Sequence, residues 1–217
     1  MSERIIGVRA GLGGAAEPAW LTESMMLPPG SPGADGAAGG PGGGRATPGI
    51  VFVMAARLAG PGVIVPSALA AVASVHGVVC VESGDGLFAC GPVGLPPGSV
   101  DLTLEACLVE VSGQVVDSAT GAAVAGHPAQ ALALAANQLG RRGLAIEPGW
   151  VVLTGGMTQA VDVPAGGTLA VHFTSLGSVF VPFPGPRQAA DDQVLRRDGQ
   201  RGGVLGCRQA TTAAAIC

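Results

Sequence analysis

The chain has 217 residues and a formal net charge of −4. That is long enough for one domain with a sizeable core, and it carries no basic footprint for nucleic acid. Every cationic side chain is arginine, and lysine and tyrosine are absent, which excludes a Schiff-base lysine, a lysine general base and a tyrosine acid.

In chain order, R4-I-I-G-V-R-A-G-L-G-G reads as a short strand and a glycine turn, followed by L-T-E-S-M-M-L. Residues 28–49 are mostly Pro, Gly and Ala, and read as a loose loop. Ile50 to Met54 is an apolar, β-rich run suited to a buried strand. G60-P-G-V-I-V-P marks a turn. Ser67 is placed to cap a helix over residues 68–75, and V78-V-C-V-E is a further strand. From Val100, D-L-T-L-E-A-C-L-V-E-V, the turn S-G-Q and V-V-D-S predict a hairpin. Residues 128–141 carry apolar side chains at helical spacing, with Pro128 in the first turn and Gly140 or Gly143 at the stop. Residues 150–156, 168–173 and 178–183 read as strands of one sheet covered by that helix. The tail from Pro184 shows no sustained period. These elements predict an α+β chain, mostly β, folded over 1–183, with a disordered tail over 184–217.

Cys80, Cys90, Cys107, Cys207 and Cys217 are odd in number and show no C-x-x-C spacing, so neither a zinc site nor a disulfide framework is expected. The amino terminus has no charged-then-apolar signal pattern, and no apolar run reaches membrane-spanning length. A cytoplasmic protein without membrane or nucleic-acid partners is expected.

The run G126-H-P-A-Q-A-L-A-L-A-A-N-Q-L-G leads through E-P-G-W-V-V-L-T-G-G and V-P-A-G-G-T to L-G-S-V-F-V-P-F. This order resembles the carboxy-terminal half of the 2-keto-4-pentenoate hydratase and 4-oxalocrotonate decarboxylase family, within the fumarylacetoacetate hydrolase superfamily. Upstream, R4-I-I-G-V-R-A-G-L is similar to the family's R-V-V-G-x-K-x-G-L strand, and E17-P-A-W-L-T-E-S-M-M-L-P-P-G to its L-T-D-x-M-L-L-P segment. R45-A-T-P-G-I-V-F-V-M resembles R-x-E-P-E-I-A-F-V-L, and V78-V-C-V-E-S stands where the family has A-L-E-I-V-D-S. The resemblance covers residues 4–183. It implies a mixed β-sheet or barrel core with a few short helices, and chemistry on 2-oxo or 2-hydroxy-dienoic acids.

The resemblance also implies a Mg²⁺ or Mn²⁺ ion held by an E-x-E pair on one strand and a third Glu on the next. The metal would stabilise an enolate. Alternate residues of a strand share a face, which suits that spacing. In this chain the three positions are Thr47, Gly49 and Cys80, and the family lysine is Arg9. Glycine has no donor, and a neutral thiol is a poor ligand for a hard ion. No cofactor is therefore expected, with Mg²⁺ or Mn²⁺ retained only if the family activity is. The segment after Cys80 is shorter than the family's. Asp35, Glu82 and Asp85 are the remaining carboxylates between 28 and 100. A shifted register would aim Glu82 inward, although a solvated turn is the favoured reading.

T154-G-G-M-T resembles the family's pocket-edge turn, so Thr154, Gly155, Gly156 and Thr158 are candidates for holding a substrate carboxylate through backbone N–H groups. His127 is expected to bond backbone at the helix start, His172 to lie on exposed strand surface, and His76 in a loop. No Ser-His-Asp set is evident, and the glycine runs at 11–14 and 39–44 lack the phosphate-loop spacing. The expectation is a degenerate homologue of this hydratase/decarboxylase family, unable to run the metal-dependent reaction. It would serve as a structural partner of an active paralogue. The alternatives are an active hydro-lyase or decarboxylase on small 2-oxo acids, or a repurposed metal-free enzyme. The family's amino-terminal helical region is missing, so bare apolar surface and assembly are expected, as a homo-oligomer or with a full-length homologue.

Overall fold

The computed structural model describes residues 3–11, 18–28, 31, 43–82 and 86–185. In chain order these contain β1 (Ile5–Arg9), β2 (Ala19–Thr22), β3 (Gly44–Met54), α1 (Val65–Ala70), β4 (Val72–Glu82), β5 (Phe88–Cys90), β6 (Ala106–Val111) and β7 (Gln114–Thr120). Then follow α2 (Pro128–Gly140), β8 (Val151–Gly156), β9 (Val161–Val163), β10 (Thr168–Phe173) and β11 (Ser178–Pro182). Among the described residues no helix is long and apolar enough to cross a membrane.

Two sheets result. The larger is ordered β2-β1-β8-β3-β4-β5, with β9 paired to the start of β3. It is mixed, because β1 and β8 run parallel while the other pairs are antiparallel. It curls into a half-barrel. The smaller sheet is ordered β11-β10-β6-β7 and is antiparallel throughout.

The period-2 alternation of β3 and β4 divides their side chains between two apolar clusters. Ile50, Phe52, Val75, Val79 and Val81 join the main core, which also takes Val109, Leu169, Val171, Phe173 and Val181 from the smaller sheet. Val51 and Val78 face the other way, with Leu21, Phe88, Val151 and Leu153. The approach of the two sheets needs Gly77, where a Cβ would lie 2.4 Å from Cε2 of Phe173. Helix α2 is buried along most of its length through Ala129, Leu132, Ala133, Ala136 and Leu139. Its small residues allow it to lie close to the Gly60–Val63 loop, where Asn137 Oδ1 accepts from Val63 N–H at 2.9 Å and Nδ2 donates to the Val63 carbonyl at 2.8 Å.

The expected helix at 128–141 and the hairpin after Val100 are present. Ser112 and Gly113 make the two-residue hairpin turn, both with positive φ (48° and 84°), as a primed turn requires. Four expectations are corrected. Strand β3 starts at Gly44 rather than Ile50, because Arg45 to Gly49 pair with Glu82 to Val78 and Gly44 to Ala46 pair with β9. The ladder offers these residues hydrogen bonds that a free loop would lack. The helix is not over 68–75. It covers 65–70, and Val72 onward extends β4, whose β-branched residues pair along β3. Ser67 sits inside that helix as the N3 residue, its Oγ 3.1 Å from the Ile64 N–H. The strand at 150–156 does not share a sheet with 168–173 and 178–183: β8 lies between β1 and β3 in the larger sheet. His76 is a β4 residue, not a loop residue. Of the expected tail, Pro184 accepts from Gly166 N–H at 3.2 Å, and residues 186–217 lie outside the described residues.

Candidate functional site

The four central strands bring the predicted positions onto one face of the larger sheet. Arg9 is opposite Leu153 of β8, Gly156 of β8 is opposite Gly49 of β3, and Thr47 of β3 is opposite Cys80 of β4. Cys80 in turn pairs with Phe88 of β5. Thr47 fills the space above the neighbouring strand: a Cβ on Gly156 would lie 2.2 Å from its Cγ2.

Arg9 reaches furthest. Its Nη2 donates to the Gly86 carbonyl at 3.1 Å, in the segment joining β4 to β5. Strands β8 and β3 lie between β1 and β4, which on a flat sheet is roughly 14 Å. The curl of the sheet shortens that span. The guanidinium lies against Gly86, where a Cβ would stand 3.3 Å from Nη2 and 3.4 Å from Nη1. Its Nε is buried and has no hydrogen-bond partner among the described residues. A buried donor left unpaired costs about 1–3 kcal/mol, and more when the group is charged. Burial pushes the Cys80 thiol above its ordinary value, with Arg9 pulling the other way. Burial likewise pushes Cys90 up to about 12, helped by Cys80.

The remaining candidates lie apart from this row or are spent on structure. Thr154 is fully buried and its hydroxyl donates to the Ile50 carbonyl at 2.9 Å. Thr158 donates to the Gln159 carbonyl at 2.7 Å. Between them the chain turns at Gly155, whose φ is +94°, and Met157 N–H donates to the Pro48 carbonyl at 2.8 Å. His127 caps α2, its Nδ1 accepting from Ala129 N–H at 3.0 Å. His172 is half-buried rather than exposed: its Nδ1 is 2.8 Å from Ser178 Oγ and its Nε2 is 3.7 Å from Glu110.

Several known proteins are similar to this chain. No family model matches the chain. A 4-oxalocrotonate decarboxylase of Pseudomonas putida is 43% identical over 84 residues, which is 39% of this chain and 32% of that protein. A 2-hydroxyhexa-2,4-dienoate hydratase of Comamonas testosteroni is 30% identical over 157 residues, 64% of this chain and 60% of that protein. The chain thus spans between a third and three fifths of the length of these relatives. The solved 4-oxalocrotonate decarboxylase of Pseudomonas putida G7, complexed with calcium and acetate, superposes with a TM-score of 0.74 at 28% identity, over 83% of this chain and 78% of that one. The chain is similar to members of the 2-keto-4-pentenoate hydratase / 4-oxalocrotonate decarboxylase family. A fumarylacetoacetate hydrolase of Exiguobacterium antarcticum, with a TM-score of 0.64 and 15% identity over 84% of this chain and 75% of that one, shares the fold.

A second solved form of the Pseudomonas putida G7 decarboxylase is complexed with magnesium and adipate. The residues at positions 47, 49 and 80 of this chain do not fit such an ion. Thr47 offers a neutral hydroxyl, Gly49 no side chain and Cys80 a protonated thiol, while the Arg9 guanidinium adds a positive charge. Hard cations take oxygen ligands, and carboxylates above all. Among the described residues no group of three His, Cys, Asp or Glu side chains is placed to hold a metal. Glu82 does not turn inward. It is half-exposed and pairs with Arg45 at 3.0 Å, and Arg45 also lies 3.4 Å from Asp162. Asp35 and Asp85 lie outside the described residues.

The sequence reading missed one pair. Ser74 Oγ is 3.0 Å from His76 Nε2, and His76 Nδ1 is 3.2 Å from the Gly91 carbonyl. A carbonyl only accepts, so Nδ1 carries the proton and Nε2 accepts from Ser74. The S-x-H spacing on a strand, which places both residues on one face, was the available signal. The pair ties the segment after β5 to β4.

Proposed function

We propose that this chain keeps the scaffold of its hydratase/decarboxylase family without the metal-dependent reaction on 2-oxo acids. The observation that carries this reading is the row Thr47–Gly49–Cys80, which offers no carboxylate, beside a guanidinium from Arg9. A divalent ion there would meet one net positive charge where the family reaction needs several negative ones. The superposition on the Pseudomonas putida G7 decarboxylase supports an intact frame around that row. Such a member acts as a partner rather than a catalyst, associating with copies of itself or with a full-length homologue. Exposed apolar side chains on the smaller sheet, Leu108, Val115, Val116 and Phe180, support the association.

Calorimetric titration of the purified protein with Mg²⁺ and Mn²⁺ tests the metal half of the reading. The expected result is no saturable site at millimolar concentration. A stoichiometric site, or Mg²⁺-dependent hydration or decarboxylation of a 2-oxo acid, overturns it.

A further inference from the structure

Ser74 and His76 stand two residues apart on β4 and so share a face of the strand. Both are half-buried. Ser74 Oγ is 3.0 Å from His76 Nε2, and His76 Nδ1 is 3.2 Å from the Gly91 carbonyl. That carbonyl fixes Nδ1 as the protonated nitrogen, so the Nε2 lone pair is bare and meets the Ser74 hydroxyl. Other serine hydroxyls are spent on backbone: Ser67 donates to the Ile64 carbonyl at 2.9 Å and Ser99 to the Pro96 carbonyl at 2.8 Å. Ser178 also meets an imidazole, but the far nitrogen of that ring, His172 Nε2, lies 3.7 Å from Glu110, too long for a hydrogen bond. Gly94 lies so close to the His76 ring that a Cβ there would stand 2.6 Å from Nε2, which keeps the imidazole from swinging away. Gly94 and Ala73 are both exposed, so the pair lies at the surface.

We infer that Ser74 is an activated nucleophile that takes the acyl group of an activated ester, with His76 as its general base. The Gly91 carbonyl stands where a carboxylate orients the imidazole in a three-residue set. The inference is independent of positions 47, 49 and 80. Ser74 Oγ attacks the ester carbonyl carbon as its proton passes to His76 Nε2. The bond to the alkoxide breaks and the alkoxide takes that proton, leaving acyl-Ser74 and a neutral imidazole. Water then gives a proton to the same Nε2 and attacks the acyl carbon, and Ser74 Oγ leaves and recovers the proton, so that the products are one carboxylic acid and one alcohol. In both steps the passing imidazolium is stabilised by its Nδ1–H bond to the Gly91 carbonyl.

The test is labelling of the full chain with an alkyl fluorophosphonate, from which the serine oxygen displaces fluoride to give an adduct that water removes slowly. Peptide mass spectrometry locates the adduct. The expected result is one adduct per chain, at Ser74, that forms in the folded protein and not in guanidinium chloride. His76→Gln keeps a donor for the Gly91 carbonyl but has no base, and is expected to slow labelling by about a hundredfold or more, the usual worth of a positioned general base. If that variant fails to fold by thermal scan, the location of the adduct and its loss on denaturation still decide. No adduct on the folded protein, an adduct at Ser178 or another serine as readily as at Ser74, or equal labelling rates in the unaltered protein and a folded His76→Gln variant overturns the inference. Each of these outcomes leaves the metal reading untouched, because that reading is tested by titration with Mg²⁺ and Mn²⁺.

Discussion

Gly49 faces the backbone of Gly155 so closely that a Cβ on Gly49 would stand 2.6 Å from the Gly155 carbonyl oxygen and 3.4 Å from Val78 Cγ1. A carboxylate side chain at this position has no room, because the β8 backbone occupies the space it would need. Gly49→Glu is expected to lower stability by about 1–3 kcal/mol, as overpacking against a rigid neighbour does. The triple change Thr47→Glu, Gly49→Glu and Cys80→Glu is accordingly expected not to recover Mn²⁺ binding, although the residue types alone suggest that it would. Denaturant midpoints for the single variant and a metal titration of the triple variant check both statements. Tight stoichiometric Mn²⁺ in the triple variant would show that β8 moves aside at little cost.

Glu105 is 2% exposed, and its Oε1 accepts from the backbone N–H groups of Ser175 (2.7 Å) and Leu176 (3.1 Å). It ties the start of β6 to the turn between β10 and β11. Glu105→Ala strands two donors and is expected to cost about 1–3 kcal/mol. Glu105→Gln keeps an acceptor oxygen and is expected to cost less. Chemical unfolding of the two variants in parallel gives the comparison, and equal losses would mean that the carboxylate acts through packing alone.

The cysteines predict a pH dependence. Burial raises Cys90 from 9.0 to about 12 and Cys107 from 9.0 to about 11, and raises Cys80 as well. Below pH 9 both folded and unfolded chains hold these protons, and the contribution is fully present. Between pH 9 and about 11–12 the unfolded chain releases protons that the folded chain keeps. Stability therefore falls as pH rises through that window, by at most about 1.4 kcal/mol per pH unit for each thiol. Denaturant midpoints measured from pH 8 to 10.5 on the unaltered protein and on a Cys90→Ala variant follow it. The variant is expected to lose less over that range, and identical slopes would refute the assignment to Cys90.

Much of the frame was legible because it is written in local pattern. Helix α2 announces itself through Pro128 and an alanine-rich apolar run, and the β6–β7 hairpin through Ser112 and Gly113 between alternating strands. The strand at Arg45 to Gly49 was not legible. Its glycine and proline lack strand propensity, and only pairing with β4 and β9 makes the segment extended. The placement of β8 was hidden for a similar reason: its neighbours β1 and β3 are distant in sequence. At the site, the residue types at 9, 47, 49 and 80 could be read directly. That Arg9 spans to Gly86, leaving its Nε unpaired, depends on sheet curvature, which no local signal encodes.

His127 accepts from Ala129 N–H at the start of α2, and Pro128 follows it at the first helical position. An imidazole is an uncommon capping acceptor, and asparagine offers an oxygen at a similar reach. His127→Ala is expected to cost about 0.5–2 kcal/mol, and His127→Asn to recover most of it. Thermal unfolding at pH 8 measures both. A neutral alanine variant would mean that Pro128 alone sets the helix start.

The outer face of the smaller sheet predicts association. The register places Phe180 beside Ala170, Ala170 beside Glu110, and Glu110 beside Val115, with Leu108 one row along next to His172. Phe180 is 54% exposed and Val115 61% exposed, and β7 and β11 are the two edges of that sheet. Exposed apolar side chains on an open face, next to strand edges that pair with no other strand among the described residues, favour contact with another chain. The unaltered protein is expected to run as a homo-oligomer by light scattering at tens of micromolar. A charge in the patch, Phe180→Arg, is expected to shift it toward monomer without lowering its melting temperature below that of Phe180→Ala. A monodisperse monomer of the unaltered chain that binds no hydrophobic dye would rule out this face as an interface.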